Sequence, residues 1–285
     1  MMKKKFKEEP RAFDIFGNIV LVKFPRGTSV KAKKKFADKI MKSNKAIRTV
    51  LEKTRGFQGR LRKQQTKYLA GEKTKEALYH ENGCVFRLNI DKVYFSPRLS
   101  NERKEIAGMV RKGDEVLVMF AGAGPYSIVI AKNSNAKRVD SMEINREANK
   151  YAVLNRELNN VKDVMSYPYQ GDIRRNLDWE YFKPTKFKIK DSKKIPVRGR
   201  WLKQKYDVIV MPRPQLKESF LKEAFTLSKK GTRIFYYDFC KADEINLIRD
   251  KIKSEAKKYK KRIKILKVKK TGEIAPYKFR VRVDF

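Results

Sequence analysis

Apolar runs alternate with amphipathic segments through the second part of the chain. Between the runs, apolar residues recur every three or four positions, which is typical of helices packed on one face. The predicted strands cover residues 114–120, 138–144, 164–173, 206–211, 232–239, 263–271 and 277–285. The predicted helices cover residues 125–134, 146–160, 216–230 and 243–259. Strands that alternate with helices predict an α/β fold with a mostly parallel sheet, and the last two strands can form an antiparallel edge.

The first hundred residues follow a different pattern. The predicted elements are strands over 12–24 and 46–54, a helix over 29–44, a basic connector over 55–71 and a hairpin over 76–97 that turns at the sequence Glu-Asn-Gly. We therefore expect a basic N-terminal tail (1–11), a smaller α+β domain (12–100) and an α/β domain (101–285).

The charge of the chain points to its partner. It contains 71 Lys and Arg against 32 Asp and Glu, a formal net charge of +39. A chain this basic repels itself unless it binds a polyanion, so nucleic acid is the expected partner. A thermophilic composition is the alternative, but that bias would raise glutamate together with lysine.

One segment interrupts the alternation of strands and helices. Residues 182–205 carry ten Lys or Arg and a single acid, Asp191, with no clear period. We interpret them as an inserted basic loop, and Phe187 and Trp201 favour contact with nucleic acid over a merely solvated surface. A second basic arm, 257–270, is also expected to contact it.

Several classes of protein are disfavoured by what the sequence lacks. His80 is its only histidine, which makes metal sites and Ser-His-Asp catalysis improbable, and we expect no metal. Cys84 and Cys240 show no pairing pattern, so we expect a reducing, cytoplasmic location. No apolar run has membrane-spanning length, and the N-terminus shows no secretory signal.

The stretch VLVMFAGAGPYSIVIAK (116–132) predicts a strand, a glycine turn and a helix. A dinucleotide site would have a third glycine after Gly122 and Gly124, and the P-loop motif is absent. Glu143 and Asp172 then follow the next two strands. This order is that of S-adenosylmethionine-dependent methyltransferases, which we favour over a dinucleotide site. The candidate cofactor residues are Arg103, Phe120, Gly122, Gly124, Pro125, Tyr126, Glu143, Ile144, Asp172, Ile173 and Met211.

Longer motifs are more specific. NIDKVYFSPRLSNER (89–103), MFAGAGPYSI, MEIN and GDIR resemble the archaeal–eukaryotic tRNA (guanine-37) N1-methyltransferases, which include relatives in the wyosine pathway. FQGRLRKQQTKYLAG, HENGC and FYYDF extend the resemblance over residues 12–285. It implies a Rossmann-like class I methyltransferase domain, S-adenosylmethionine as cofactor and tRNA as substrate. The smaller domain would bind RNA, and we expect a monomer.

The resemblance also implies roles for individual residues. Glu102 would remove the N1 proton of guanine, and Arg62 would stabilise the charge on O6. Arg103 would hold the cofactor or orient Glu102, although an acid at this position also suits the first turn of a helix. The candidate tRNA contacts are Tyr94, Arg98, Arg60, Arg174, Lys186, Arg198, Arg200 and Trp201.

Two departures from the family pattern leave alternatives open. Val118 stands where many members have Asp, and Pro212 stands where the family has Asn before a proline loop. Arg213 could partly substitute, so Pro212 and Arg213 are the remaining candidate catalytic positions. The alternatives are a wyosine-pathway enzyme that acts on a modified guanine, by ring-carbon methylation, dual methylation or aminocarboxypropyl transfer, and a non-catalytic RNA-binding relative.

Overall fold

The computed structural model describes Pro10 and residues 12–176, 205–213 and 218–285. The predicted tail (except Pro10) and the predicted basic loop (except Lys205) therefore lie outside the described residues. The chain divides into two compact units between Ser100 and Asn101.

The first unit combines a four-stranded sheet, one long helix and a separate hairpin. Its elements are β1 (Phe13–Phe16), β2 (Ile19–Val22), α1 (Val30–Ser43), β3 (Thr49–Gln58), β4 (Lys63–Gly71), β5 (Glu76–Glu81) and β6 (Cys84–Asn89). The sheet has the order β1-β2-β3-β4, with β2 and β3 parallel because α1 forms the crossover. The buried face is apolar and includes Val20, Val22, Phe24, Ala37, Ile47 and Val50.

Two predictions for this unit were wrong. The predicted connector 55–71 is a β-hairpin, in which β3 continues to Gln58 and pairs with β4. Basic side chains on both exposed arms hide the alternation from which a strand is recognised. The predicted strand 12–24 is two strands, because Gly17 turns the chain with a left-handed φ of +59°.

The second unit is a seven-stranded sheet with helices. Its elements are α2 (Ser100–Met109), β7 (Glu115–Met119), α3 (Pro125–Asn133), β8 (Arg138–Glu143), α4 (Arg146–Leu158), β9 (Tyr169–Gln170), α5 (Ile173–Asn176), β10 (Tyr206–Met211), α6 (Leu221–Thr226), β11 (Ser228–Lys241), α7 (Ile245–Lys258), β12 (Lys267–Ala275) and β13 (Lys278–Asp284). The strand order is β12-β13-β11-β10-β7-β8-β9. Strands β11 to β9 are parallel, and β13 and β12 add an antiparallel edge. The predicted fold class is confirmed.

Two elements of this unit are shorter than predicted. Only Tyr169 and Gln170 of the predicted strand 164–173 form β9, which is an edge strand and follows Pro168. Among the described residues of 216–230, α6 covers only Leu221–Thr226, because Phe220 has a left-handed φ of +55° at its start and β11 begins at Ser228.

Gly17 and Gly83 provide a matched pair of substitutions. Both have a left-handed φ, +59° and +70°. An alanine Cβ at Gly17 would lie 1.7 Å from the Leu78 carbonyl oxygen, whereas at Gly83 no atom lies within 4 Å. We expect Gly83→Ala to lower the free energy of unfolding by about 1 kcal/mol, the cost of the backbone conformation. Gly17→Ala should lower it by at least about 3 kcal/mol, because the turn must also move.

Denaturant unfolding of both variants measures this difference. Equal losses would mean that the turn at Gly17 moves away from Leu78 without cost. That turn is also held by the Asn18 side chain, whose Oδ1 accepts a hydrogen bond from the Leu78 amide at 2.8 Å.

Candidate active site

The site lies at the carboxyl edge of the parallel strands of the second unit. Strands β7, β8, β9 and β10 run in the same direction, so the residues that follow them meet at one edge. The core strands are almost fully buried, and their last residues include Met119, Glu143 and Met211. The loops that follow β7, β8 and β10 are therefore carried on a rigid support.

The glycine turn after β7 brings the backbone close to the start of α3. Gly122 and Gly124 both have left-handed φ, +60° and +84°, and Gly124 is the residue that precedes α3. A Cβ at Gly124 would lie 3.1 Å from Ile128 Cδ1. Pro125 occupies the first helical position, where its missing N–H leaves no intrahelical bond unmade. Phe120, also left-handed, packs its ring 5.1 Å from that of Phe220.

Glu143 ties the glycine turn to the end of β8. Its Oε2 accepts a hydrogen bond from the Gly122 amide at 2.8 Å, and its Oε1 accepts one from the Asn145 amide at 2.6 Å. Burial raises the pKa of Glu143, although these backbone bonds and the charge of Arg213 act in the opposite direction. Arg213 therefore bears on this acid electrostatically. A carboxylate has about four acceptor positions, so capacity remains for hydroxyl donors.

Asp172 already has a strong partner. Arg174 donates from Nε at 3.1 Å and from Nη2 at 2.7 Å to the two oxygens of Asp172, and its Nη1 binds Glu218 at 2.7 Å. These bonds raise the pKa of Arg174. Arg174, predicted to contact tRNA, is thus held between two acids at the edge of the site.

The residues at this edge fit an adenosylmethionine group. Ribose hydroxyls and the adenine amino group are donors and need buried acceptors. Glu143 offers carboxylate capacity, and the buried Oε1 of Gln170 has no hydrogen-bond partner among the described residues. Gln170 pairs directly with Glu143 between β9 and β8, so the two acceptors are adjacent. The apolar side chains of Ile173 and Met211 are buried at the same edge.

Glu102 lies in the first turn of α2 and is 5% exposed. Its Oε1 accepts hydrogen bonds from the Tyr237 hydroxyl at 2.8 Å and from Nη1 of Arg282. Its Oε2 accepts one from Lys269 at 3.2 Å. Tyr237 follows Tyr236, which pairs with Met211 at the end of β10, so Glu102 is anchored at the edge that carries the glycine turn.

A second carboxylate shares the same cations. Glu105, one turn further along α2 and more exposed than Glu102, binds Arg282 at 3.0 Å and also binds Lys269. Burial acts to raise the pKa of Glu105, but the two cations lower it to about 2. Glu105 is therefore ionised under all physiological conditions. Asp284 completes the shell around Arg282, because its Oδ1 accepts a hydrogen bond from Nε of Arg282 at 2.6 Å.

Aromatic rings connect Glu102 with the glycine turn. The Tyr237 ring lies 6.0 Å from that of Tyr126, in the first turn of α3. Arg103 is 1% exposed, and its guanidinium lies 5.9 Å from the centre of the Tyr126 ring. Burial raises the pKa of Tyr126 to about 12, so its hydroxyl stays protonated. The fold therefore brings Arg103, Tyr126 and Glu102 together.

The predicted residues of the first unit form their own cluster. The Arg62 guanidinium lies 3.9 Å from the centre of the Tyr94 ring, and Phe57 packs 4.7 Å from the same ring. Arg62 has a left-handed φ of +49° in the turn between β3 and β4. Arg98 is not an isolated cation, since its Nε donates to Asp14 at 2.9 Å. Arg60 is exposed in the same turn as Arg62.

The remaining predicted contacts fall elsewhere. Lys186, Arg198, Arg200 and Trp201 lie outside the described residues. The basic arm 257–270 borders a cavity of about 490 Å³ together with the segment 228–234. That cavity lies where β10 and β11 begin, at the opposite end of the strands from the glycine turn.

Sequence reasoning missed the residues that surround Glu102. Tyr237 lies within the motif FYYDF, but Lys269 and Arg282 lie more than 160 positions from Glu102 and carry no local signal. The alternation of Arg280, Arg282 and Asp284 with valines was the available sign, because it puts charges on the buried face of a strand. Gln170 was missed because a single glutamine has no motif.

Two kinds of feature are absent from the described residues. No group of three or more His, Cys, Asp or Glu side chains in this part of the chain is arranged to hold a metal ion. Within the same residues, no helix has the length and hydropathy needed to span a membrane.

Comparison with known proteins shows which family this chain resembles. Residues 77–182 match the TRM5/TYW2 methyltransferase domain, and residues 1–74 match the TYW2 N-terminal domain. The tRNA (guanine(37)-N(1))/4-demethylwyosine(37)-methyltransferase Taw22 of Nanoarchaeum equitans is 32% identical over 96% of this chain and 98% of its own. The tRNA (guanine(37)-N(1))-methyltransferase Trm5b of Pyrococcus abyssi is 31% identical over 97% of this chain and 74% of its own.

Solved structures of such proteins have a similar fold. The crystal structure of Trm5b from Pyrococcus abyssi superposes with a TM-score of 0.78 over 96% of this chain and 74% of that chain, at 30% identity. A structure of aTrm5 in complex with tRNALeu superposes with a TM-score of 0.76 over 96% of this chain and 71% of that chain, at 25% identity. The resemblance inferred from the motifs is thereby confirmed: the chain belongs to the TRM5/TYW2 family of methyltransferases.

Proposed function

We propose that this protein transfers the methyl group of S-adenosylmethionine to N1 of guanine-37 in tRNA. The family fixes the coarser part of this statement, a methyltransferase that uses S-adenosylmethionine and acts in tRNA modification. The finer part, N1 of guanine-37, is supported by the arrangement around Glu102. The net charge of +39 suits a substrate that is itself a polyanion.

One observation carries the proposal: Glu102 is a buried carboxylate with one acceptor position left. Its Oε1 is filled by Tyr237 and Arg282, and Oε2 accepts from Lys269 only, among the described residues. An oxygen has two acceptor positions, so the second position of Oε2 is available to a donor such as guanine N1–H. The three existing bonds fix the carboxylate in one orientation, which is the requirement for a general base.

Proton removal from N1 and methyl transfer to N1 would occur in one step. S-adenosylmethionine, when bound, supplies a methyl group on a positively charged sulfur. The N1 proton would pass to Oε2 of Glu102 while N1 takes the methyl group, and the electron pair of the broken sulfur–carbon bond would stay on the sulfur. Tyr237 stays protonated because burial raises its pKa, so it continues to donate to Oε1 throughout.

Arg282 and Lys269 hold the Glu102 carboxylate by ion pairs as well as by hydrogen bonds. Both cations lie on the antiparallel edge strands, so the orientation of the proposed base depends on that edge.

Cofactor binding would use the edge described above. Glu143 and Gln170 would accept from the ribose and adenine donors, and the glycine turn would leave room for the amino-acid portion. Arg103 and Tyr126 lie between this turn and Glu102 and would position the reacting end. Stabilisation of O6 by Arg62 remains a prediction from the family motifs, as do the tRNA contacts of Tyr94 and Arg60.

A second candidate function has a specific observation in its favour. Pro212 removes the side-chain donor that the family's Asn would provide after β10, and the relative from Nanoarchaeum equitans, aligned over nearly its whole length, is named for two methylations. The second candidate is therefore methylation of 4-demethylwyosine at position 37, alone or together with N1 methylation. A further relative from Saccharolobus solfataricus, 28% identical, is named for that reaction alone.

The product formed on tRNA separates these functions. We expect labelled S-adenosylmethionine and an unmodified tRNA transcript to yield 1-methylguanosine, identified by mass spectrometry, because the Oε2 position accepts the N1 proton. A transcript with adenosine at position 37 is the control and should give none. Methylation only of tRNA that carries 4-demethylwyosine would support the second candidate, and tight tRNA binding with no product on either substrate would indicate a non-catalytic relative.

Glu102→Gln and Glu105→Gln are a matched pair for the base. Both glutamates lie on α2 and share Lys269 and Arg282, so both substitutions remove one negative charge from the same cluster. We expect Glu102→Gln to lower kcat by about 100-fold or more, the usual contribution of a general base, and Glu105→Gln by less than about 5-fold.

Affinity for S-adenosylmethionine and the melting temperature of each variant serve as controls. Equal losses of kcat in the two variants would mean that Glu102 only anchors α2. A loss of kcat that parallels a lowered melting temperature would mean the same. A glutamine amide cannot take up the N1 proton as a carboxylate can. A fully active Glu102→Gln would therefore exclude Glu102 as the base.

A further inference from the structure

The β12–β13 hairpin extends beyond the edge of the parallel sheet where the candidate site lies. β11 pairs with β10 up to Tyr236 and continues for five more residues to Lys241, which pairs with Lys278 of β13. Five residues of strand span about 17 Å. The tip of the hairpin, residues 275–278, therefore projects about that far past the end of β10, on the side of the glycine turn.

The tip presents an aromatic ring to solvent. Tyr277 is 80% exposed, and Ile274 beside it is 41% exposed. The Tyr277 amide donates to Oε1 of Glu273 at 3.2 Å, which fixes the turn. Tyr277 also has a left-handed φ of +60°, where glycine or asparagine would be less strained. A bulky aromatic residue in a strained and largely exposed position suggests a binding role.

Cations accompany the aromatic residues along the hairpin. Lys270 lies 4.3 Å from the centre of the Phe279 ring, and Arg280 lies 5.3 Å from that of Phe239. Side chains alternate along a strand, so Lys278 and Arg280 lie on the same face of β13 as Arg282, which binds Glu102. Lys270 pairs with Val281 and lies on the opposite face. Arg280 and Arg282 are buried, so Lys278, next to the tip, is the cation of this face of β13 that solvent reaches.

We propose that Tyr277 stacks on an unpaired base next to the nucleotide that is methylated, with Lys278 near the flanking phosphates. Loop nucleotides of RNA are recognised by stacking on exposed aromatic rings, and neighbouring lysines hold the backbone. The proposal deepens the proposed function, on which it rests, because it takes the target base to lie at Glu102. Nothing else at this edge of the described second unit presents so exposed an aromatic ring.

The test is a double-mutant cycle between the protein and the RNA. Equilibrium affinity for tRNA is measured for the unchanged protein, Tyr277→Ala and Tyr277→Phe, each with intact tRNA and with tRNA that has an abasic nucleotide at position 36 or at position 38. Leu247→Ala is the matched control, because Leu247 is another large, 66% exposed side chain, on α7.

Stacking predicts a defined set of results. Tyr277→Ala should weaken tRNA binding at least about 5-fold, the lower end of what base–aromatic stacking contributes, while Tyr277→Phe and Leu247→Ala change it by less than about 2-fold. One of the two abasic tRNAs should bind Tyr277→Ala and the unchanged protein about equally. Additive losses at both positions, or an unchanged affinity of Tyr277→Ala, would overturn the proposal and leave the tip for a protein partner.

Binding is measured without turnover, so this test does not depend on which product forms. If coupling is found but neither tRNA substrate is methylated, the proposed function fails while the contact of Tyr277 with RNA stands. If methylation occurs without coupling, only the inference about the hairpin is wrong. Affinity for S-adenosylmethionine should be the same for all variants, since Tyr277 lies at the tip, outside the residues that follow β7 to β10.

Discussion

The arrangement of the site depends on the ion pair between Glu102 and Arg282. Both side chains are almost fully buried, and a buried charge without a partner costs several kcal/mol. The pair forces α2 to lie against β13, and Tyr237 and Lys269 complete the shell from β11 and β12. The antiparallel edge of the sheet is therefore more than an extension of the core: β12 and β13, with the adjoining β11, supply the three donors to the proposed base among the described residues.

The same pair limits the chemistry. Three donors occupy three of the four acceptor positions of the Glu102 carboxylate and hold it in one orientation. Such a base contributes through geometry, because its single open acceptor position at Oε2 defines where a donor must be. Glu105 also forms ion pairs with Lys269 and Arg282, so the two glutamates share these cations.

Local sequence patterns predicted the sheet, the glycine turn and the acid at the end of β8, because each depends on residues close in the chain. They failed where basic residues replaced the expected alternation, as in the β3–β4 hairpin, and where a partner is distant, as with Glu102 and Arg282, 180 positions apart. The motifs identified Glu102 as a candidate without indicating what surrounds it. Asp172 was found by its place after a strand, but the bond from its partner Arg174 to the distant Glu218 requires the folded chain.

Under the proposed function, the choice between N1 and a ring carbon as methyl acceptor would involve the same carboxylate in two different orders. Methylation at N1 removes a proton as the new bond forms, whereas methylation at an unsaturated ring carbon adds the methyl group first and loses a C–H proton afterwards. A fixed acceptor at Oε2 can receive either proton if the base is rotated or shifted to bring the right atom to it. The position of the nucleobase relative to Oε2, rather than the residue that accepts the proton, would then decide which atom is methylated. Pro212 and Arg213 follow β10 at this edge and would influence that position. Proline offers no side-chain donor to orient the nucleobase, and the charge of Arg213 acts on Glu143.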